Sequence, residues 1–346
     1  MIKALRIKTW LVLIGLAFLV SCTEQVQLKP IALAGKTMGT TFSIKYYPSP
    51  NTPSSDNLLA EVNSLLQVLN QSLSTYIPDS ELSIFNKLKA GEHITPSKHL
   101  SFMFDESIAI TKESLGAFDV TIGPLVNLWG FGPTGRVTKK PDDSLIKTTQ
   151  EWLGLTSFTK SKDKIVKHHD NAYIDFSAIA KGYAADVLAE LLESNYVSSY
   201  LVEVGGELKA KGHKPDGSSW TVAIEKPIAN ARLIQAIVPI NNMGMATSGD
   251  YRNYFEENGI RYSHTIDAST GYPIKHNLVS VTVFSETSAR ADAYATAISV
   301  LGPEKGLMFA EKYNIPIYML IKSNEGFEES TSSAFEVYQE KMRKLN

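Results

Sequence analysis

Asp292 and Thr296 are the pair of side chains whose spacing most directly suggests chemistry. They stand four residues apart in a small, apolar stretch of helical character, so both oxygens fall on one helix face. A lone carboxylate in such surroundings costs free energy unless a cation accompanies it. Either Arg290 pairs with Asp292, or the carboxylate and hydroxyl are hard oxygen ligands suited to Mg²⁺.

A second polar group occupies residues 174–183 (IDFSAIAKGY). We expect a strand ending at Asp175 and a helix opening at Ser177. Free N–H groups at a helix N-terminus bind phosphate or carboxylate, and Lys181, about one turn in, could reach the same anion. The alternative is ordinary helix capping with a solvated lysine.

A histidine, carboxylates and hydroxyls are concentrated in residues 247–251 (TSGDY) and 264–271 (HTIDASTG). A histidine titrates near neutral pH, so beside Asp267 and several hydroxyls it could serve a functional role. A lone histidine can equally be a structural residue.

Two further segments could form a ligand site or simply fold the chain. Residues 118–132 (FDVTIGPLVNLWGFG) combine turn residues with aromatics, which would suit a flat ring ligand at a loop surface or form a packed core corner. Gly205-Gly206 follows a predicted strand, where paired glycines permit close ligand approach or a tight turn.

Hydrophobic spacing predicts the elements that must position these groups. The predicted helices span 57–73 (with Asp56 as N-cap), 100–115, 177–193, 289–301 and 304–312, and the predicted strands span 36–47, 200–204, 220–224, 279–284 and 315–321. Helices and strands mix without a regular βαβ repeat. We therefore expect an α+β or mixed α/β fold, arranged either as one unit or as two lobes.

Composition excludes several classes of protein. Hydrophobic residues make up 43% and charged residues 20% of the 346 residues, which is typical of a globular chain. Lys+Arg number 34 against 36 Asp+Glu, so there is no basic excess and we expect no nucleic-acid partner. The sequence has no zinc-ligand spacing and no Walker, Rossmann or Gly-x-Ser-x-Gly motif.

The first 21 residues are typical of a secretory signal peptide. Lys3, Arg6 and Lys8 precede a short apolar run, Trp10–Val20, which is too short to span a bilayer comfortably. We predict a lipoprotein signal peptide at 1–21, a tether at 22–34 and one domain at 35–346.

Cys22 lies two residues after this run and is the only cysteine of the chain, so no internal disulfide can form. The segment Leu19–Cys22 resembles a bacterial lipobox, whose cysteine is lipidated; alternatively, Cys22 merely ends the signal peptide. Lipidation would anchor the chain to a bacterial membrane, facing the periplasm or exterior. By analogy, Thr23 in place of Asp points to the outer membrane of a Gram-negative source.

The order of the motifs along the chain resembles that of the ApbE family. The motifs are Met38-Gly-Thr-Thr-Phe, Ser74–Asn86 (STYIPDSELSIFN), Ala117-Phe-Asp with Gly123–Gly132, Ile174-Asp with Ala180-Lys-Gly-Tyr-Ala, Val204-Gly-Gly-Glu, Ala246-Thr-Ser-Gly-Asp-Tyr, His264 with Asp267 and Thr270-Gly, and Ala291-Asp292 with Thr296. The resemblance runs from about Met38 to about Ile321.

Members of this family are flavin transferases, so the resemblance implies an activity and partners. It implies Mg²⁺-dependent transfer of FMN from FAD to a Ser or Thr hydroxyl of an acceptor protein, with release of AMP. It implies an acceptor such as a subunit of a sodium-pumping quinone reductase or a related electron-transfer complex. It also implies a T-fold-like mixed α/β core. An FAD pyrophosphatase releasing FMN and AMP, or a non-catalytic flavin-binding lipoprotein, remains an alternative.

The resemblance also assigns residues to the site. It implies FAD contacts at Met38, Tyr76, Ala117, Phe118, Asp119, Asp175, Lys181 and Ile266. It implies metal ligation by the Ala178 carbonyl and by the side chains of Asp292 and Thr296. His264 lies in the family's His-x-Ile-Asp segment. The reaction that the resemblance implies needs a base for the acceptor hydroxyl, and His264 is our preferred candidate, with Asp267 or Asp250 as alternatives.

The sequence departs from the family pattern at two positions. Ala295 replaces a carboxylate that some members carry, which would weaken the metal site or shift ligation to FAD phosphates. Ala268 replaces the proline that usually follows Asp267, which would loosen that turn. The segment Asp267–Tyr272 resembles the start of the acceptor pattern but lacks its Ala-Thr, so we do not expect the chain to be its own acceptor.

Overall fold

A computed structural model describes residues 29–137, 139–228, 233–249 and 254–344. The predicted signal peptide, Cys22 and Asp250 lie outside the described residues. Within them, no helix has the length and apolar character needed to cross a membrane. Residues 31–34, which we assigned to the tether, instead belong to the first strand.

The elements follow one another in mixed order along the chain. The α-helices are α1 (Ser55–Leu73), α2 (Glu81–Lys87), α3 (Lys98–Glu113), α4 (Gly123–Leu128), α5 (Asp143–Gln150), α6 (Ala180–Ser194), α7 (Ser288–Lys312) and α8 (Glu336–Gln339). The strands are β1 (Ile31–Thr37), β2 (Thr40–Tyr47), β3 (His93–Ile94), β4 (Phe158–Lys160), β5 (Ile165–Lys167), β6 (Ser199–Val204), β7 (Glu207–Lys211), β8 (Trp220–Glu225), β9 (Ile234–Ile240), β10 (Met243–Gly249), β11 (Tyr254–Glu257), β12 (Ile260–Ser263), β13 (Ile266–Asp267), β14 (Tyr272–Pro273), β15 (Leu278–Ser285), β16 (Ile317–Ser323), β17 (Gly326–Thr331) and β18 (Arg343–Lys344).

An eight-stranded antiparallel sheet forms the centre of the fold, in the order β1-β2-β6-β7-β10-β15-β16-β17. Helices α6 and α7 pack on one face, α6 against β6 and β7, and α7 against β10 and β15. The small sheet β8-β9-β18 shares a second apolar cluster with the opposite face. Val281 and Val283 of β15 face the helices, whereas Phe284 joins the second cluster. The α+β fold class is confirmed.

The N-terminal strand pair differs from the single strand predicted at 36–47. Met38 and Gly39 have φ values of 49° and 70° and form the two-residue loop of the β1–β2 hairpin. Positive φ at both central positions matches the right-handed twist of the flanking strands. Met38 thereby stands at the tip of a tight turn.

Two other boundaries differ from expectation near the predicted site. Asp175 does not end a strand; residues 174–179 form an irregular turn, and helix α6 begins at Ala180 rather than Ser177. The predicted helices 289–301 and 304–312 are consecutive parts of α7, interrupted at Gly302, whose φ is 75°.

The N-terminal cap of helix α1 also differs from the prediction. The helix is capped by Ser54, whose hydroxyl accepts from the Asn57 N–H, rather than by Asp56.

Candidate functional site

A cavity of about 350 Å³ collects most of the residues singled out in the sequence. Its lining includes Tyr76, Ala117, Phe118, Asp119, Asp175, Ala178, Lys181, His264, Ile266, Asp292 and Thr296. Met38 lines a neighbouring cavity of about 690 Å³, which shares Tyr76 and Lys181 with the first. Asp267 lines another neighbour, of about 800 Å³, which shares Ala117 and Asp119. These residues come from distant parts of the chain, so the fold itself brings them together.

Helix α7 presents Asp292 and Thr296 to the cavity, as their spacing predicted. The helix begins against Asp186 of α6, whose carboxylate oxygens accept from the N–H groups of Ser288 and Ala289, both at 2.8 Å. Burial raises the pKa of Asp186 to about 6, although these hydrogen bonds act in the opposite direction. Asp186 therefore fixes the start of the helix that carries the two site oxygens.

Arg290 is not the partner of Asp292. Its guanidinium instead pairs with Glu106 at 2.5 Å and Glu113 at 3.5 Å. The cation beside Asp292 is Lys181, whose Nζ lies 3.8 Å from Asp292 Oδ2. Lys181 is thus part of an ion cluster rather than a solvated lysine.

The third member of this cluster is Glu207, at the start of β7. Its Oε1 accepts from Lys181 Nζ at 2.8 Å, and its side chain is only 7% exposed. The Gly205-Gly206 turn, with φ values of 65° and 109°, connects β6 to β7 and packs against the stem of Lys181. Two carboxylates therefore face one ammonium group at the cavity wall.

Burial raises the pKa values of both carboxylates. The pKa of Glu207 rises to about 7, because burial and Asp292 outweigh the attraction of Lys181. The pKa of Asp292 is also raised, chiefly by burial, against the effects of Lys181 and of the Gly182 N–H. For Lys181 burial lowers the pKa, but the two carboxylates outweigh it and the net shift is upward. Lys181 is therefore held as a cation between the two carboxylates.

Asp119 and Asp175 use the same local hydrogen-bond pattern. Asp119 Oδ1 accepts from the N–H and the hydroxyl of Thr121, at 2.8 and 2.7 Å. Asp175 Oδ1 accepts from the N–H and the hydroxyl of Ser177, at 2.8 and 2.5 Å. Burial raises both pKa values. Each carboxylate is held rigidly at the wall by its own turn.

Only part of the aromatic segment reaches the cavity. Trp129 is fully buried and donates from Nε1 to the Gly271 carbonyl at 2.9 Å. This residue therefore packs in the core, which was the second of the two interpretations of the segment. Phe131 does line the cavity, and its ring meets that of His264 edge-on at 6.3 Å between centroids. The Tyr76 hydroxyl donates to the Phe131 carbonyl at 3.4 Å, so these aromatic groups form one wall.

His264 and Asp267, the two predicted catalytic groups, have different surroundings. His264 lines the cavity beside Phe131. Asp267 Oδ1 accepts from the N–H and hydroxyl of Ser269, and its carbonyl accepts from Gly271 N–H at 2.8 Å. The turn is therefore formed despite Ala268, and the location favours His264 over Asp267 as the base.

The donor atoms at the cavity wall fit Mg²⁺. Asp292, Thr296 and Ala178 all line the cavity, and they carry a carboxylate, a hydroxyl and, in the irregular turn, a backbone carbonyl, the oxygen types that this ion prefers. Across the described parts of the chain, no group of three or more His, Cys, Asp and Glu could hold a metal. A metal here would take few protein ligands and complete its shell with water and phosphate oxygens, as Mg²⁺ usually does.

Ala295, which stands where some family members carry a carboxylate, has no side-chain oxygen to offer a metal. It is 1% exposed and packs in the main core rather than lining the cavity. Glu207 is a charged cavity residue to which our sequence reasoning gave no role. The only signal was an acidic residue directly after the Gly-Gly turn, where a buried strand begins. Its partners are far away in sequence and could not be identified from it.

Comparison with known proteins identifies the family. Residues 38–319 match the model of the ApbE family. The FAD:protein FMN transferase of Haemophilus influenzae is 44% identical over 318 residues, covering 90% of this chain and 92% of the relative. The flavin transferase ApbE of Vibrio cholerae has a TM-score of 0.84 at 41% identity, covering 90% of this chain and 99% of that one.

Another solved structure gives the same result. The flavinyl transferase ApbE of Pseudomonas stutzeri, in its apo form, has a TM-score of 0.85 at 41% identity and covers 91% of this chain and 98% of its own. Both the sequence and the fold therefore match along nearly the whole described chain. The protein belongs to the ApbE family and is an enzyme of the transferase class.

Proposed function

We propose that the chain is a Mg²⁺-dependent FAD:protein FMN transferase. The observation that carries the proposal is one cavity lined both by the Asp292–Lys181–Glu207 cluster and by Tyr76, Phe131 and His264. The cluster forms a charged wall, and the three ring-bearing residues, which contact one another, form an aromatic wall. This arrangement suits a substrate with a pyrophosphate and a flat ring, which is the chemistry of FAD.

The charged wall would hold the pyrophosphate. Lys181 supplies a positive point charge, and Asp292, Thr296 and the Ala178 carbonyl would hold Mg²⁺. When bound there, Mg²⁺ neutralises charge on phosphate oxygens and on the leaving group. The aromatic wall, with Tyr76 and Phe131, and the ordered carboxylates Asp119 and Asp175 would orient the rest of FAD.

The reaction transfers the FMN phosphoryl group to a hydroxyl. The Ser or Thr oxygen of the acceptor attacks the phosphorus of the FMN half, and a new phosphoester bond forms. The bond from that phosphorus to the bridging oxygen breaks, and AMP leaves with this oxygen. His264 takes the hydroxyl proton, a role that contributes about 10²–10⁴-fold in comparable enzymes.

Acceptor dependence tests the proposal. The soluble chain starting after Cys22 is incubated with FAD and Mg²⁺, with and without a periplasmic flavin-acceptor domain, and AMP is measured by chromatography. AMP release that requires the acceptor supports the transferase. Release of AMP and free FMN without acceptor would identify an FAD pyrophosphatase, and intact FAD in both samples would identify a binding protein.

We further propose that the full-length chain is a lipoprotein anchored through Cys22, facing the periplasm or exterior. The support is the basic and apolar N-terminal segment and its single cysteine. Its acceptor would be a subunit of a sodium-pumping quinone reductase or a related electron-transfer complex. Metabolic labelling with a fatty acid, compared with the Cys22→Ser variant, tests the anchor; equal labelling of both would exclude Cys22.

A further inference from the structure

Lys181 is shared unequally between two carboxylates at the cavity wall. Its Nζ lies 2.8 Å from Glu207 Oε1 but 3.8 Å from Asp292 Oδ2. Both carboxylates are more than nine-tenths buried, so water does little to weaken their attraction for the ammonium group. The position of Lys181 is therefore a balance between these two residues.

Glu207 follows a turn that packs closely against Lys181. A side-chain carbon at Gly205 would lie 2.8 Å from Thr40 Cγ2 and 3.0 Å from Lys181 Cδ, so the turn packs closely over the lysine stem. On the other side, Asp292 Oδ2 accepts from the Gly182 N–H at 3.1 Å. Asp292 is thus held by a second contact, whereas within the described parts of the chain the only side-chain partner of Glu207 is the lysine.

We infer that Glu207 is a positioning residue that keeps Lys181 away from Asp292 and so leaves the Asp292 carboxylate available for a divalent cation. The inference rests on the proposed function, because it concerns the cation that this function needs. Without the Glu207 charge, Lys181 would pair with Asp292 alone. A cation would then meet a neutralised carboxylate and a repelling ammonium group.

The second oxygen of Glu207 agrees with this role. Oε2 is buried and has no hydrogen-bond partner among the described residues. A carboxylate that served only to stabilise the fold would ordinarily have both oxygens satisfied. Among the described residues, the lysine is thus the one hydrogen-bond partner of the Glu207 side chain.

The test is the affinity for Mn²⁺, used as a spectroscopic substitute for Mg²⁺ and measured by electron paramagnetic resonance without acceptor, at an FAD concentration that saturates each variant. Glu207→Gln should raise the Mn²⁺ dissociation constant by about tenfold or more, because the lysine loses its counter-charge. The control, Glu203→Gln, makes the same change on β6 of the same hairpin. Glu203 does not line the cavity, so the control should bind Mn²⁺ like the wild type.

A second variant separates positioning from general destabilisation. In the double variant Glu207→Gln/Lys181→Gln no ammonium group remains to compete for Asp292. Its Mn²⁺ affinity should therefore exceed that of Glu207→Gln alone, whereas a merely structural role predicts that the second change weakens binding further. Glu207→Asp, which restores the charge, should recover part of the affinity, and thermal melts verify that each variant is folded.

The outcomes separate this inference from the proposed function. Mn²⁺ affinity within twofold of the wild type in Glu207→Gln, or a double variant weaker than the single, overturns the positioning role and leaves the function standing. A wild type that binds no Mn²⁺ with FAD overturns the inference together with the metal requirement. A wild type that binds Mn²⁺ but transfers no FMN overturns the function and leaves the inference intact.

Discussion

The backbone N–H of Gly182 donates a hydrogen bond of 3.1 Å to Asp292 Oδ2, joining residues 110 positions apart. This contact links the first turn of α6 to the cavity face of α7. It is possible because the two helices approach closely: a side-chain carbon on Gly182 would lie 2.3 Å from the Ser288 carbonyl oxygen. The orientation of the predicted metal ligand thus depends on a residue without a side chain.

We predict that Gly182→Ala destabilises the protein and weakens metal binding together. Backbone atoms of α7 would have to move, which costs about 1–3 kcal/mol in a tightly packed interior. Thermal unfolding and Mn²⁺ titration measure the two effects. Ser194→Ala, at the exposed far end of α6, is the control and should change stability by less than about 0.5 kcal/mol. Wild-type stability and metal affinity in Gly182→Ala would refute the packing argument.

Asp292→Asn should abolish most of the metal-dependent activity. The amide keeps the shape of the side chain but removes the charge, and a bound metal contributes several kcal/mol to such a reaction, so a loss of about 10²-fold or more is expected. The rate is measured as a function of Mg²⁺ concentration. Glu304→Gln, an exposed change on the same helix, should leave the Mg²⁺ dependence unaltered. An Asp292→Asn enzyme with the wild-type Mg²⁺ response would remove Asp292 from the site.

Replacing His264 and Asp267 separately tests which of them is the base. His264→Ala should lower turnover by about 10²–10⁴-fold while FAD binding, followed by flavin fluorescence, persists. Asp267→Asn should stay within about threefold of wild type, because an asparagine side chain forms the same turn. If the Asp267 variant lost more activity than the His264 variant, our assignment would be wrong.

Asp186→Asn should change how stability depends on pH. Burial raises the pKa of Asp186 to about 6, above its usual value of 3.8, so the folded state holds this proton more tightly than the unfolded state. The contribution of Asp186 to the free energy of unfolding is therefore largest below about pH 4. It decreases by at most about 3 kcal/mol as the pH rises to about 6. The wild-type free energy of unfolding, relative to the Asn variant, should fall across that window and be level above it.

Denaturant unfolding at closely spaced pH values measures this difference. The comparison with the Asn variant cancels the titration of the other carboxylates, which both proteins share. A difference that rose with pH between 4 and 6 would mean that the hydrogen bonds from Ser288 and Ala289, rather than burial, dominate the energetics of Asp186.

The features of the site that depend on local spacing were predictable from the sequence. Asp292 and Thr296 share a helix face because four residues make about one turn. The Gly205-Gly206 pair forms a tight turn, which was one of the two roles that the sequence suggested for it. The amphipathic pattern of α1 placed that helix to within a few residues. In each case the determining interaction lies within one element.

The ion cluster was not predictable, because its members meet only through the tertiary fold. Lys181 and Glu207 are 26 positions apart and lie on a helix and a strand. Sequence proximity suggested Arg290 as the partner of Asp292, yet residues two apart on a helix point in different directions, and Arg290 pairs with Glu106 on α3. The hydrogen bond from Trp129 Nε1 to the Gly271 carbonyl was likewise not predictable, because the two residues are 142 positions apart in the sequence.

The measurement that tests the central claim most directly is the intact mass of a flavin-acceptor domain after incubation with the enzyme, FAD and Mg²⁺. We predict an increase of one FMN phosphoester on a Ser or Thr, matched by one AMP released and abolished by a chelator or by Asp292→Asn. An acceptor of unchanged mass, while the wild-type enzyme consumes FAD, would contradict the transferase.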